Sequence, residues 1–512
     1  MKVNTPVSRE NRDPTNPRDA THMFRAPEPA RQTGASAAKG GRRLSGRPCW
    51  NFAKGQCAFG DACAYVHDAV ASDSRGPARS GSDETTSTSG IDGAVDEPRV
   101  PLRYFTHKSR AQLGADPGRS LLARVLERDG VFEPTRDVSS CHLFWGCASP
   151  TGPLLANLPH DAFVNHFPGT TAITHKHTLA MMLRRHPEGD AVAPRTFVLP
   201  AEANEFAATA DDDDDCDERG AGWIVKRAVG GEGRGTIIAR TAREALERTR
   251  AADGGDRRGS QHHATRWVAQ RYVRDPLTFA PRAGADRRKI DLRAYALLTR
   301  WDPNDGTTRA YVHRDGLVRF AAAPWDPRDS SSLAVHLTNN AAATARTHEG
   351  GAEGGADGRV TWDPDAHFKR NWSFDTLASE LDAELGAGSY ERVWEGVRRC
   401  ARTALGALPR RGDRGGDESR SAGDDGRGPR RFELLGLDLL VDSRLRVWLL
   451  EVNSAPALAA GTKLGGRISR THHRVKAGLL ADAMNLLGVG LEDAGGAEAE
   501  LERAATGGFQ LL

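Results

Sequence analysis

The stretch Phe432–Asp442, FELLGLDLLVD, decides the fold together with Val447–Asn453, VWLLEVN, which follows a few residues later. Both segments are rich in apolar residues and are separated by a polar turn, so they predict two neighbouring buried strands. Glu451 and Asn453 are two residues apart and therefore point to the same face of their strand. Asp438 lies in an otherwise apolar strand, where a carboxylate is costly unless it is paired or bound to a cation.

The two strands are thus predicted to bring three oxygen-bearing side chains close together on one face of the hairpin. Two carboxylates and an amide suit Mg²⁺, a hard cation that takes oxygen ligands together with substrate phosphates. We therefore predict a magnesium site at Asp438, Glu451 and Asn453. The alternative is an ordinary β-hairpin, turning at Asp442–Arg444, whose acidic residues have no common function.

A cluster of cysteine and histidine near the start of the chain has the spacing of a zinc site. Cys49, Cys57, Cys63 and His67 follow the pattern C-x7-C-x5-C-x3-H within residues 46–69. Three thiolates and one imidazole complete the tetrahedral shell that structural Zn²⁺ prefers. A segment this short cannot bury enough apolar surface to fold alone, and zinc ligation supplies the missing stability.

The same segment resembles a CCCH zinc finger, because Gly55, Phe59, Gly60 and Tyr65 match the glycine and aromatic positions of that family. The resemblance implies binding of single-stranded RNA, in which exposed aromatic rings such as Phe52, Phe59 or Tyr65 stack on bases. A protein-docking or purely structural role fits a single finger equally well.

The composition indicates a folded domain diluted by polar insertions. The chain has 512 residues, of which 38% are hydrophobic and 55 are glycines, and this length allows two or three domains. A net charge of +3 says little about partners. No apolar run approaches the ~18 residues of a membrane helix, and no secretory signal is visible. Seven cysteines, an odd number, argue against a disulfide framework, so we expect a cytoplasmic protein without a membrane anchor.

Periodicity divides the chain into five parts. Residues 1–45 are predicted to be disordered, 46–69 form the finger, and 70–100 are a Ser/Gly-rich linker. Short apolar strands alternate with helical segments over 101–490 and predict an α/β domain, followed by a loose tail at 491–512. Amphipathic patterns predict helices at 178–185, 374–385, 392–408 and 474–487.

A series of short motifs, in order from about Arg103 to Leu487, resembles the tubulin-tyrosine ligase-like enzymes, an ATP-grasp family. Each motif alone is weakly specific, whereas their order along the chain is specific. The resemblance implies an ATP-grasp-like α/β ligase domain preceded by the zinc finger. Besides the hairpin, the motifs are Asn165–Gly169 (NHFPG), Ile173–Lys176 (ITHK), Pro194–Pro200 (PRTFVLP), Trp223–Lys226 (WIVK), Gly230–Gly235 (GGEGRG), Gln270–Val273 (QRYV), Lys289–Arg293 (KIDLR), Gly316–Phe320 (GLVRF) and His336–Asn339 (HLTN).

The resemblance also implies roles for single residues. Asp438, Glu451 and Asn453 match the family's magnesium ligands, and Arg227 stands where the family has proline. The implied ATP contacts are Lys226, Arg234, Gly235, Gln270, Arg271, Tyr272, Val273, Lys289, Ile290, Asp291, Thr338 and Asn339, with Lys176 as a further match. The cations implied to hold the acidic substrates in catalysis are Arg293, Arg319 and Lys476.

The implied activity is ATP-dependent amide formation through an acylphosphate. The resemblance implies that glutamate is added to glutamate side chains of tubulin, of microtubules or of another acidic protein, at the cytoskeleton, cilium or basal body. One alternative is a glycylating or tyrosinating ligase of the same family. Another is an RNA-binding zinc-finger protein with a non-catalytic ligase fold, which the intact set of three metal ligands disfavours.

Overall fold

A computed structural model of the chain describes residues 101–107, 120–209, 221–230, 233, 235–254, 267–329, 332–338, 371–411, 428–459, 469–489 and 496–512. The predicted segments 1–45, 46–69 and 70–100 lie outside these residues. So do the zinc ligands Cys49, Cys57, Cys63 and His67, and the implied ATP contacts Arg234 and Asn339.

The described residues form a mixed α/β structure, which confirms the predicted fold class. The strands in chain order are β1 (Leu102–Thr106), β2 (Phe132–Pro134), β3 (Leu143–Trp145), β4 (Phe163–Val164), β5 (Thr196–Leu199), β6 (Trp223–Arg227), β7 (Ile237–Ala239), β8 (Trp267–Arg271), β9 (Thr278–Phe279), β10 (Arg288–Trp301), β11 (Thr308–His313), β12 (Leu317–Phe320), β13 (Trp372–Ser373), β14 (Arg430–Arg431), β15 (Glu433–Val441), β16 (Val447–Asn453) and β17 (Phe509–Leu511).

The helices connect these strands and cover the sheets. They are α1 (Leu121–Leu126), α2 (Gly152–Ala156), α3 (Thr171–Thr174), α4 (Lys176–Arg185), α5 (Gly189–Val192), α6 (Ala203–Ala208), α7 (Ala242–Gly254), α8 (Leu333–His336), α9 (Phe374–Leu385), α10 (Ser389–Gly406), α11 (Arg470–Leu487) and α12 (Ala497–Thr506), with short 3₁₀ helices at Arg128–Gly130 and Val138–Ser140. In the described part of the chain, no helix is long and apolar enough to cross a membrane.

Three sheets organise the structure. A parallel sheet has the strand order β14-β4-β3-β1-β2, and an antiparallel sheet has the order β5-β8-β6-β7. The third and largest sheet, called the central sheet, is built around β10, which pairs with β11 and β12 along one edge and with β15 along the other, and which also pairs with β9. The long strand β10 therefore connects all parts of the central sheet.

The two faces of the central sheet have different neighbours. Leu292, Ala294 and Leu437 pack into a core with α9 and α10. The opposite face, called the site face, carries Arg293 opposite Asp438, and further along it carries Tyr295 and Leu297 in a second core with α1 and α11. Because side chains alternate along a strand, the same two strands supply both an apolar core and a charged surface.

The predicted hairpin of β15 and β16 is present, and it contains a β-bulge. Asp438 lies opposite Glu451, whereas Leu439 lies opposite Leu449, so Leu450 is the extra residue. Strict alternation from Leu449 would put Glu451 on the apolar face. The bulge instead turns Glu451 onto the site face, as bulges beside functional sites often do.

The predicted helices are confirmed, with ends that differ by a few residues, whereas the prediction of a loose tail is wrong from residue 496 onward. Helix α12 is followed by β17, which adds to the central sheet beside β11 with Phe509 opposite His313. Asp482 on α11 accepts hydrogen bonds from the backbone N–H of Gly508 and from His313, at 3.0 and 3.1 Å. Phe509 is 2% exposed, and burial of its ring fixes the segment.

Candidate active site

The three predicted magnesium ligands lie together on the site face. Glu451 is the register partner of Asp438, and Asn453 is the partner of Gly436, two residues further along β15. The Nδ2 of Asn453 donates to the carbonyl oxygen of Gly436 at 3.3 Å, which leaves the side-chain oxygen of Asn453 available as a ligand. Two carboxylates and one amide oxygen fit Mg²⁺. Among the described residues, no group of three or more His, Cys, Asp and Glu side chains is arranged to hold a metal ion, and the predicted set contains only two carboxylates.

Asp438 is held by two arginines. Arg293 donates from Nε to Oδ1 of Asp438 at 2.5 Å, and Nη2 of Arg319 lies 3.2 Å from Oδ2. Burial alone would raise the pKa of Asp438, but the two guanidinium groups outweigh burial and hold the pKa below its ordinary range. Asp438 is therefore a permanent anion, which a metal ligand must be.

The second partner of Arg319 is Asp291. Arg319 reaches Asp291 from both Nε and Nη2, at 2.7 and 2.5 Å, a bidentate pair that is strong and geometrically specific. Thr338 donates to the same carboxylate at 2.6 Å. Both oxygens of Asp291 are thus taken, so in this structure Asp291 and Thr338 hold Arg319 in place.

Lysines complete the group of cations around the predicted metal ligands. Nζ of Lys176 lies 3.1 Å from Oε2 of Glu451 and donates to the carbonyl oxygen of Gly230 at 2.8 Å. Lys226 donates to Oε1 of Gln270 at 3.0 Å, and burial lowers its pKa. Burial also lowers the pKa of Lys289 to about 7, although Asp291 opposes the shift.

Lys476 approaches the same region from α11. It is 5% exposed, and Nζ donates to the carbonyl oxygen of Ala459 at 2.6 Å. Burial, together with the charges of Arg293 and Arg319, lowers its pKa to about 7. The three cations implied to hold the substrates are therefore brought together by the fold.

The charges on the site face do not balance. Six cationic side chains surround three carboxylates, and burial lowers the pKa values of the three most buried lysines, although carboxylates partly oppose the shift for Lys226 and Lys289. An excess of buried cations is what a polyanionic ligand with phosphate and carboxylate groups requires. The cations are Lys176, Lys226, Lys289, Arg293, Arg319 and Lys476, and the carboxylates are Asp291, Asp438 and Glu451.

A cleft of about 940 Å³ opens beside two of these lysines, Lys176 and Lys226. It has the size of a site for a cofactor or small ligand. Lys176, Lys226 and the predicted hinge Gln270–Val273 line one part of the cleft, and Trp448 lines another. Gln270 is fixed from two sides, because its amide donates to Thr196 at 3.2 Å while its oxygen accepts from Lys226. The backbone N–H groups of Arg271 and Tyr272 donate to Arg195 and Gly222, so the hinge is fixed in place where it lines the cleft.

Two side chains that the resemblance places at the nucleotide point elsewhere. The guanidinium of Arg271 lies 5.2 Å from the ring centroid of Trp223, so it packs on the antiparallel sheet. Ile290 is 0% exposed and belongs to the core with α9 and α10. Any role of these two residues in nucleotide binding is therefore limited to the backbone for Ile290 and to the rim of the cleft for Arg271.

The glycine-rich loop after β6 has the backbone that a phosphate loop needs. Gly230, Gly233 and Gly235 have φ angles of 112°, 71° and 69°, which favour glycine strongly. Arg227, where the family has proline, is anchored here: Nη1 lies 3.2 Å from Oδ1 of Asp253, and the guanidinium lies 3.9 Å from the ring centroid of Trp267. This departure fixes the end of β6 to α7.

The sequence analysis assigned no individual role to Thr196 or His336. Thr196 orients the amide of Gln270, and His336 accepts from the hydroxyl of Tyr272. The sequence feature that could have pointed to His336 is its position two residues before Thr338, in the same matched motif. For Thr196, the feature is the alternation of side chains along β5, in which Thr196 lies opposite Gln270 of β8.

Comparisons with known proteins agree with this arrangement. A model of the tubulin-tyrosine ligase family matches residues 155–489, and a model of the CCCH-type zinc finger matches 47–68, which contains all four predicted zinc ligands. Human tubulin polyglutamylase TTLL7 is 26% identical over 382 residues, which cover 72% of this chain and 37% of the relative. Mouse probable tubulin polyglutamylase TTLL2 is 27% identical over 378 residues, covering 71% and 58%.

The human tubulin polyglutamylase TTLL13 is also similar, at 28% identity over 359 residues that cover 67% of this chain and 37% of the relative. The chain thus spans between about a third and three fifths of the length of these relatives. The family match extends over more than half of the chain and includes every site residue discussed above. The chain therefore belongs to the tubulin-tyrosine ligase family, with a CCCH-type zinc finger ahead of the family domain.

Proposed function

We propose that the chain is an ATP- and Mg²⁺-dependent ligase that adds an amino acid, glutamate, to glutamate side chains of tubulin or another acidic protein. The site face carries the proposal, because two carboxylates suited to a cation lie opposite each other within a group of buried cations. Membership in the family and the polyglutamylase names of the relatives support the same chemistry.

In the proposed reaction the acceptor carboxylate attacks the γ-phosphorus of ATP, so that ADP leaves and an acylphosphate forms. The amino group of the incoming amino acid loses a proton and attacks the acyl carbon, and phosphate leaves as the amide forms. Mg²⁺ held by Asp438, Glu451 and Asn453 would neutralise charge on the phosphates. The chain contributes mainly by positioning the reactants and stabilising their charges.

The nucleotide is assigned to the cleft between the antiparallel sheet and the hairpin. Lys226 and Lys289 are buried, and burial lowers their pKa values in spite of nearby carboxylates, so a phosphate group would favour their charged forms. The backbone of the hinge 270–273 contacts the base. Lys176, which is paired with Glu451 in this structure, is close enough to the glycine-rich loop to join the phosphate site.

The substrate carboxylates are assigned to Arg293, Arg319 and Lys476. Among the described residues, Arg293 uses only its Nε for a hydrogen bond, so its two terminal nitrogens can bind a carboxylate. Arginine suits this role because its planar group pairs with carboxylates through two parallel hydrogen bonds. The names of the relatives favour glutamate over glycine or tyrosine, and they favour tubulin as acceptor and the cytoskeleton as location.

Ligation by the purified full chain tests the proposal. Mg-ATP, tubulin and radiolabelled glutamate are supplied, with glycine and tyrosine in parallel reactions. We expect glutamate incorporation that Glu451→Gln abolishes and that Glu133→Gln, an exposed site on β2, leaves unchanged. Incorporation of glycine or tyrosine instead would reject the choice of amino acid. No incorporation of any of the three by folded protein would reject a tubulin ligase.

A second function is proposed for the finger, because the family match covers all four predicted ligands. We infer that Cys49, Cys57, Cys63 and His67 bind one structural Zn²⁺ and that the finger binds single-stranded RNA. Metal analysis of the full chain and of Cys57→Ser tests the first point. Fluorescence anisotropy with labelled single-stranded RNA tests the second, and equal affinity of both proteins would reject RNA binding through the finger.

A further inference from the structure

A chain of hydrogen bonds lies behind Lys289. Nζ of Lys289 lies 3.0 Å from the hydroxyl oxygen of Tyr272, which lies 2.7 Å from Nδ1 of His336. Nε2 of His336 lies 2.5 Å from the carbonyl oxygen of Asp329. The three linked side chains come from β10, from the end of β8 and from α8, so the fold joins three distant parts of the sequence here.

The chemistry of the groups fixes the direction of each hydrogen bond. A carbonyl oxygen only accepts, so Nε2 of His336 carries the hydrogen that is donated to Asp329. Burial and the nearby charge of Lys289 lower the pKa of His336, so the ring is neutral and Nδ1 accepts. The hydroxyl of Tyr272 must then donate to His336, and its oxygen is left to accept from Lys289.

The surroundings hold this chain rigid. Tyr272, Lys289 and His336 are 5%, 6% and 3% exposed. The rings of Tyr272 and His336 meet edge to face with centroids 5.3 Å apart, and Trp325 packs against His336 at 6.0 Å. Nζ of Lys289 also lies 4.5 Å from the ring centroid of Tyr272. A lysine side chain has many rotamers, and such an enclosure removes most of them.

The orientation leaves Lys289 ready for a ligand. In the part of the chain that the structure describes, the only hydrogen-bond partner of Nζ of Lys289 is the hydroxyl of Tyr272. An ammonium group has three hydrogens, so two remain available on the side away from Tyr272. A fixed donor of this kind loses little entropy when it binds a phosphate oxygen.

We propose that His336 is a positioning residue, which orients the hydroxyl of Tyr272 and through it aims Lys289 at the nucleotide phosphates. The inference rests on the proposed function only in taking the cleft as a nucleotide site. It assigns Tyr272 a different task from the contact with the base that the resemblance implies, because its hydroxyl is occupied by Lys289 and His336. His336 itself touches no reacting group.

Nucleotide affinity of full-length variants tests the inference, measured by titration calorimetry with Mg-ATP in the absence of acceptor. His336→Leu removes the acceptor, and we expect affinity to fall about tenfold, the effect of one hydrogen bond of ordinary strength. His336→Asn keeps an acceptor near the position of Nδ1, so it should restore most of the affinity. Tyr272→Phe removes one oxygen atom and should weaken binding as much as His336→Leu.

The double variant Tyr272→Phe/His336→Leu should be no weaker than either single variant, because both break the same chain. Tyr311→Phe is the matched control, since Tyr311 is a buried tyrosine on β11 near Glu500 and Arg309. Its affinity should equal that of the unmodified chain. If His336→Leu fails to fold, the comparison of Tyr272→Phe with Tyr311→Phe decides alone.

Three results would overturn the inference: unchanged affinity in Tyr272→Phe, equal losses in His336→Leu and His336→Asn, or additive losses in the double variant. A chain that binds Mg-ATP but ligates no amino acid would reject the proposed function while leaving this test valid. A chain that binds no nucleotide would reject both.

Discussion

The site face of the central sheet has two halves that differ in what they bury. In one half Leu297 and Leu434 pack under α11, and both belong to an apolar core. In the other half, on the same two strands, Arg293 and Asp438 lie opposite each other and form an ion pair. The comparison teaches that the apolar half stabilises the fold. The charged half is costly to bury, and the packed apolar half holds its side chains in place.

The largest expected effect is confined to the charged half. Glu451→Gln removes one metal ligand and should lower turnover at least about a hundredfold. Its partner Lys176 is partly exposed, so the stability lost with this ion pair should be under about 1 kcal/mol. Ligation assays and thermal unfolding measure the two quantities. A large fall in stability would show that the charged half also carries the fold.

Within the charged half, Arg319 should matter for stability as well as for ligation. Arg319→Met leaves Asp291 and Asp438 buried with fewer partners, so we expect a loss of about 3–5 kcal/mol in unfolding free energy. Adding Asp291→Leu removes one of the stranded charges and should recover part of the stability, without recovery of ligation. Denaturant unfolding of the single and double variants checks this. A double variant less stable than Arg319→Met would contradict it.

A substitution in the apolar half should have the opposite effect to Glu451→Gln: it should lower stability and leave ligation unchanged. Leu297 is 0% exposed, and Leu297→Ala should cost about 3 kcal/mol of unfolding free energy. The folded fraction should still ligate at the original rate, because three register pairs of the sheet lie between the pair of Asp438 and the pair of Leu297. Activity per folded molecule at low temperature measures this. Loss of ligation in fully folded Leu297→Ala would show that the halves are coupled.

The smallest expected effect depends on pH. The pKa of Lys289 is lowered to about 7, so this lysine is charged below that pH and neutral above it. Affinity for Mg-ATP should therefore fall as pH rises from about 7 to 8, by up to about tenfold. The unfolding free energy changes in the other direction. The Lys289 side chain binds its proton more tightly in the unfolded chain than in the folded one, so its contribution to stability rises with pH. Calorimetry at several pH values measures the affinity for Mg-ATP, with Lys289→Met as control. An affinity that does not change with pH would contradict the prediction.

The sequence predicted the site better than its surroundings. The hairpin, the two carboxylates and the basic residues of β10 and β12 were found from short motifs, because each motif lies within one strand and strands have a fixed period. The position of Glu451 needed more, since the bulge at Leu450 reverses the alternation that the sequence shows. A bulge depends on pairing between strands, which a single strand does not encode.

The sequence analysis also missed contacts between segments that lie far apart in the chain, because such contacts are not encoded in either segment alone. The tail carries Phe509 and Leu511 in a polar context, and only its pairing with β11 makes it a strand. Likewise His336 meets Tyr272, which is 64 residues away in sequence. Motifs reveal chemistry that is local in sequence, and tertiary contacts of this length need the folded structure.

The ion pairs that run from Asp291 through Arg319 and Asp438 to Arg293 have a consequence for how such a domain can evolve. Each inner member pairs with two neighbours, so loss of charge at Arg319 strands Asp291 and loss at Asp438 strands Arg293. The inner positions can therefore change only together with their outer neighbours. A duplicate gene relieved of catalysis would shed them together, in exchange for apolar residues, while the core under α11 stayed as it is.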